Sequence, residues 1–429
     1  MEHSVTRPRV HASASTSAKL DHLEGLRGLG PCVVVVAHFL AAYQPHAIFG
    51  RPYPQSAWWE DYMVTTPLGL LIASGTAVSL FFILSGYVLS LPFCGDSERG
   101  QEDLCAALLK RPLRLAPVVM LGMLLSHFVK DWGLTYRSEV SSVTGSHPWL
   151  LLEPGTRTDI FADVLRPFST AGAYNSPLWT IGIEMYGSIL VFCLLALTRG
   201  LRGRWAVYAL LLGWYLDSWM QCFIAGLAIA DLHRSRPALF EGRGARLAAL
   251  LLAAGVVVGA FPDRALESIR SGTFYSMLPT FKGILAGGMS TCGALLLFVG
   301  VLLSPSAQRV LSLPPCRFLG QVSFSLYAIH FPLMLSLSAA VFLPLVEPLG
   351  RASATAIAAA IYFAATLALA WVVTRVVDRP VVSLSNRIAL YARAAWSKNS
   401  GEVSRDHGWM LELSRLRAPA SGLRIPSPL

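Results

Sequence analysis

In the stretch Leu20–Leu40, LDHLEGLRGLGPCVVVVAHFL, an arginine and a histidine stand eleven positions apart, Arg27 and His38. At about 100° per residue, eleven residues bring the two nearly onto one helix face, about 16 Å apart along the axis. A guanidinium at the entrance and an imidazole deeper in the apolar run suit a long anionic donor whose reactive end must reach inward. Taken singly, Arg27 reads as an interfacial arginine that snorkels and His38 as a packing histidine. Their shared face and spacing count against both of these readings.

Three further motifs place charge where apolar sequence would otherwise run on, and ionisable groups inside membrane spans mark function by default. Arg111 and Arg114, in Lys110-Arg-Pro-Leu-Arg114, are three apart and so neighbours on one helical face. Paired guanidiniums there suit multidentate phosphate binding, although an isolated RxxR is more often an ordinary cytosolic-side basic cluster. Glu184 closes Asn175-Ser-Pro-Leu-Trp-Thr-Ile-Gly-Ile-Glu, two turns inside an apolar helix. An unpaired carboxylate is improbable there, so it is expected to be protonated, paired or facing a wet cavity. His330 ends Gly320-Gln-Val-Ser-Phe-Ser-Leu-Tyr-Ala-Ile-His. Counted along their helices, His38, Glu184 and His330 lie at similar depth, which points to one polar cavity.

The elements that must carry these residues are set by composition. Of 429 residues, 54% are hydrophobic and 14% charged, with a mean hydropathy of +0.53. Soluble domains carry roughly 25% charged residues, and apolar runs of about 18 or more are the transmembrane signature. The expected fold is all-α integral membrane, with ten transmembrane helices in one bundle near 28–44, 67–91, 113–129, 177–197, 205–216, 218–232, 246–260, 283–303, 318–343 and 353–377. Residues 1–19 read as a disordered cytosolic tail and 20–380 as the transmembrane domain. Residues 381–429 read as a second cytosolic tail, with 386–396 able to lie on the interface as an amphipathic helix. The acid-free arginines of loop 198–204, with loops 231–246 and 304–317, orient both termini to the cytosol. The segment 130–176, on the other side, is long enough to act as a lid. The net charge of +10 is spread over short loops and not gathered into a stripe, so no nucleic-acid partner is expected. The seven cysteines form no CxxC pair, and no HExxH, P-loop or dinucleotide fingerprint appears, so no metal is expected.

Arg27 with His38, FFILSGYVLS around Ser85, Gly86 and Tyr87, RxxR at Arg111 and Arg114, Ser-Pro-Leu-Trp…Glu184, FLGQVSFSLYAIHFP at 318–332 and Val377-Asp-Arg-Pro380 follow one another in order. In this order and spacing the chain resembles the acyltransferase 3 family of multi-pass membrane acyltransferases, in its fungal form. Fungal members often have Arg two residues after the motif Glu, where this chain has Tyr186. The resemblance implies acyl-CoA, acetyl-CoA foremost, as co-substrate, no tightly bound cofactor, and O-acylation of a hydroxylated small molecule or carbohydrate. On this reading His38 is the general base or is transiently acylated, and Glu184 holds the imidazole or the acceptor. Arg27, Arg111 and Arg114 bind the donor phosphates, while Ser85, Tyr87, Trp179, Tyr327 and His330 line the cavity or the acceptor site. The location implied for a eukaryotic chain is an endomembrane of the ER type. The alternative from another class is a transporter or flippase. The absence of a repeat between the halves counts against it.

Overall fold

A computed structural model describes residues 21–50, 53–95, 99–146, 168, 175–241, 244–263, 272–279 and 285–399, and every element among them is helical. The longer helices are numbered here α1 Asp21–Tyr43, α2 Ser74–Ser90, α3 Gln101–Asp131, α4 Trp179–Thr198, α5 Arg204–Trp214, α6 Met220–Ser235, α7 Ala245–Gly259, α8 Met289–Leu303, α9 Pro314–Leu333, α10 Ala339–Val373 and α11 Arg379–Asn399. In hydrocarbon a helix satisfies its backbone polar groups within one segment, so apolar runs of this length fold as helices and not as open strands.

Five segments are long and apolar enough to cross a membrane: α1, Ser74–Phe93, α3, Ser176–Thr198 and Pro314–Trp396. A sixth is added if α8 and the short helix Pro305–Leu311, bent by 98° from it, count as one span. The ten spans expected from hydropathy are not matched by this count. Helices α5, α6 and α7 hold 11, 16 and 15 residues, or about 17, 24 and 23 Å at the α-helical rise, short of a hydrocarbon core of about 30 Å. The last two expected spans belong to one 83-residue helical run. That run turns at Gly350, whose φ of 76° breaks the helix. Its two legs then pack antiparallel: Tyr362 Oη donates to the His330 carbonyl, Thr374 Oγ1 to Ser325 Oγ, and Arg379 to Gln321.

Glycines set the closest approaches. A Cβ on Gly28 would stand 2.4 Å from the Gly320 nitrogen, and one on Gly122 would stand 2.5 Å from the Ala328 carbonyl oxygen. Small residues let membrane helices touch backbone to backbone, where van der Waals packing supplies the attraction. Thus α1, α9 and α3 form the inner wall, with α2 and α6 sealed likewise by Gly86 and Gly226. Beyond Pro380 the chain stays helical to Asn399 and packs along α3, with Arg393 paired to Asp103 at 3.2 Å. Residues 1–19, residues 400–429 and most of the segment assigned as a lid lie outside the described residues.

Candidate active site

Helix α3 begins at Gln101, twelve residues before the expected start of its span. Arg111 and Arg114 are therefore about three and three and a half turns inside the helix and not at its start. They open onto a cavity of about 340 Å³, whose lining includes Arg27, Ser85, Arg111, Arg114, Glu184 and Tyr327. Within it, Arg111 pairs with Glu184 and also donates from Nε to Ser188 Oγ at 3.0 Å. Glu184 Oε1 accepts in addition from Ser85 Oγ at 3.0 Å, whereas Oε2 is buried and has no hydrogen-bond partner. Among the described residues Arg27 and Arg114 have no hydrogen bond or ion pair within 4 Å, although Asp378 and Glu184 lie within electrostatic reach of both. Asp21 and Glu24 stand at the outer end of the cavity, and Asp21 is 3.3 Å from Arg317. Such a site favours an anion that arrives with several acceptor oxygens.

The inner end of the cavity is lined by Val34, Ala77, Thr180 and Tyr327. Tyr327 Oη donates to the Pro177 carbonyl at 2.6 Å and lies 2.9 Å from Thr180 Oγ1, so the Ser-Pro-Leu-Trp segment holds this floor. One turn deeper, His38 Nδ1 lies 3.0 Å from His330 Nε2, and His330 Nδ1 lies 2.7 Å from the Tyr327 carbonyl oxygen. The ring planes differ by 12° with centroids 5.3 Å apart, a separation that exceeds the N···N distance only by the two ring radii. The imidazoles therefore meet edge to edge, in hydrogen-bonding geometry. The carbonyl can only accept, so His330 carries its proton on Nδ1. With both rings neutral, His330 Nε2 accepts from His38 Nδ1, which leaves the His38 lone pair on Nε2. His330 is fully buried and His38 only partly.

Sequence reasoning foresaw one polar cavity, and the structure separates two groups. Arg27, Arg111, Arg114, Ser85, Glu184 and Tyr327 surround the cavity, while His38 and His330 lie beneath its floor. The partner that orients His38 Nδ1 is His330 and not a carboxylate; Glu184 is held by Arg111 and Ser85. Tyr87 does not line the cavity. It sits two positions, or about 200° of helix turn, from Ser85 and hydrogen-bonds His233 Nδ1 at 2.5 Å behind α2. Trp179 faces Trp219, with centroids 5.8 Å apart. A second cavity of about 460 Å³ lies toward the other end of α1, between Ala47, Ile48, Trp219, Asp263, Gly288 and Ser290. Ser188 and Thr180 were missed as site residues. Their signal was spacing, since Ser188 lies four after Glu184 and Thr180 four before it, on the same helix face.

A family model described as an acyltransferase domain, Acyl_transf_3, matches residues 20–375. Similar curated proteins are fungal. The acyltransferase clz18 of Cochliobolus lunatus is 24% identical over 87% of this chain and 96% of its own length. The acyltransferase R4 of a Phoma species is 23% identical over 79% and 86%. The O-acetyltransferase PaAT-1 of Phomopsis amygdali is 24% identical over 90% and 86%. No solved structure matches. With nearly all its membrane-type helices inside the matched region, and with a basic cavity set above a histidine pair, this chain belongs to the acyltransferase 3 family of membrane acyltransferases.

Proposed function

We propose that this protein transfers an acyl group, acetyl in the first instance, from acyl-CoA to a hydroxyl of a small metabolite or carbohydrate. The observation that carries this reading is the pair of guanidiniums, Arg27 and Arg114, without a hydrogen-bond partner among the described residues, in a cavity whose floor abuts the His38–His330 pair. The arm between the CoA pyrophosphate and its sulfur has twelve bonds, the length of about four backbone residues or about 14 Å extended. Arg27 and His38 lie about 16 Å apart along α1. A pyrophosphate held at the arginines therefore delivers the thioester to the imidazole.

His38 Nε2 takes the acceptor hydroxyl proton as the oxygen attacks the thioester carbonyl. The tetrahedral intermediate expels the CoA thiolate, and the imidazolium returns the proton to sulfur. His330, fixed by the Tyr327 carbonyl, fills the orienting role that a carboxylate has in a hydrolase triad. The acceptor is assigned to the larger cavity. His38 stands on α1 between Val34, on the floor of the first cavity, and Ala47, on the wall of the second. The O-acetyltransferase named among the relatives supports acetyl transfer to oxygen. The arginine-rich loops orient both termini and the arginine cavity toward the cytosol, where acyl-CoA is made, in an endomembrane of the ER type.

The test is the purified protein in detergent with labelled acetyl-CoA and an extract of hydroxylated metabolites. CoA-dependent label in a product is expected, and transport cannot produce it without a sealed compartment. If the protein neither binds acetyl-CoA nor forms such a product, the reading is overturned.

A further inference from the structure

Glu184 is 3% exposed and its side chain belongs to the cavity lining; Oε1 is occupied by Arg111 and Ser85, while Oε2 is buried without a partner. A buried carboxylate oxygen left unpaired is costly. In a cavity wall it marks the place where a ligand brings a hydrogen-bond donor. Its depth is fixed by the helices around it. Tyr327 lies three residues before His330 on α9, and Thr180, bonded to Tyr327, lies four residues before Glu184 on α4. Two steps of three and four residues put the carboxylate about 10 Å outward from the histidine level.

We propose that Glu184 Oε2 accepts the N–H of the outer amide of the pantetheine arm, the amide between its pantoyl and β-alanine units. This rests on the donor reading given above. Along the arm, seven bonds separate that nitrogen from the sulfur, or about 8 Å extended. With the thioester beside the imidazole, the outer amide reaches the level of Glu184. The inner amide, three bonds from sulfur, lies at the floor, where Thr180 and Tyr327 already bond each other. Arg111 and Ser85 hold the Glu184 carboxyl by Oε1, and the cavity thereby reads an uncharged part of the donor as well as its phosphates. Glu184 is then a donor-binding residue, distinct from the orienting acid of a triad.

The experiment compares acetyl-CoA with two analogues in which the outer or the inner amide N–H is replaced by an ester oxygen. The wild-type protein is expected to lose roughly 10- to 100-fold in kcat/KM on the outer ester, as for a hydrogen bond to a charged acceptor, and much less on the inner one. In Glu184→Gln, whose amide oxygen can still accept from Arg111, acetyl-CoA and the outer ester should be used nearly equally. Equal use of acetyl-CoA and the outer ester by the wild-type protein overturns the proposal, without need of any variant. So does a Glu184→Gln enzyme that retains full discrimination, or one whose only change is in KM for the acceptor. Absence of any acetyl-CoA-dependent product from the wild-type protein would remove the donor reading itself, and this inference with it.

Discussion

His38 and His330 each stand ten residues beyond a glycine, Gly28 and Gly320, and a Cβ on Gly28 would lie 2.4 Å from the Gly320 nitrogen, a close approach between α1 and α9. The helices run parallel, so equal offsets from one contact bring equal depths, and the imidazoles meet at 3.0 Å. Helix packing in this way sets the catalytic geometry of the proposed reaction.

The first prediction follows from that contact. Gly28→Ala would place a methyl 2.4 Å from the Gly320 backbone nitrogen, forcing the helices apart. Overpacking of this kind costs about 1–3 kcal/mol. Thermal unfolding in detergent should fall by several degrees, and kcat should fall more than the stability loss explains, because the histidines separate. A variant with lowered Tm and unchanged kcat would break the link between this contact and the site.

His38→Gln should lose about 10²–10⁴ in turnover, as on removal of a general base, with acyl-CoA binding retained. His330→Gln should lose less than His330→Ala, since an amide can donate to the Tyr327 carbonyl and accept from His38 Nδ1. Rates at matched membrane abundance decide this. If the alanine and amide variants of His330 are equally impaired, the proposed relay has no role.

The three arginines are predicted to differ. Arg27→Ala and Arg114→Ala, each removing a guanidinium that no carboxylate contacts within 4 Å among the described residues, should raise KM for acyl-CoA by the equivalent of about 1.5–3 kcal/mol, with normal folding. Arg111→Ala strips Glu184 of its buried partner and should destabilise the protein by about 3–5 kcal/mol. Combining it with Glu184→Gln should restore much of that stability. Equal stability of Arg111→Ala and Arg114→Ala in detergent melts would refute the distinction.

Topology gives a fourth expectation, with loops 198–204 and 231–246 and both termini on the cytosolic side. A cysteine placed at position 202 in a cysteine-depleted background should resist an impermeant reagent applied to intact cells and react once the membrane is opened. Labelling on intact cells would invert the assignment.

The residues 386–396, legible as an amphipathic segment, continue the last membrane helix and lie against α3. Hydropathy supplied the apolar stretch but carried no information about what that helix touches. The same holds for Arg111. Three positions from Arg114 in sequence, it reads as its equal, and only packing against α4 pairs it directly with Glu184, whereas Arg114 meets Glu184 and Asp378 only at longer range.

Composition and local pattern alone determined the helical membrane class, the family motifs and the candidates Arg27, His38, Arg111, Arg114, Glu184 and His330. These are one-dimensional properties, since hydrophobic length and the periodicity of one helix do not depend on its neighbours. Tertiary structure decided which charges pair, that the imidazoles lie beneath the cavity floor, and that Tyr87 turns away toward His233. Those outcomes depend on rotation and register between helices distant in sequence. The interhelical glycine contacts that set them, such as Gly28 on Gly320, join residues 292 positions apart.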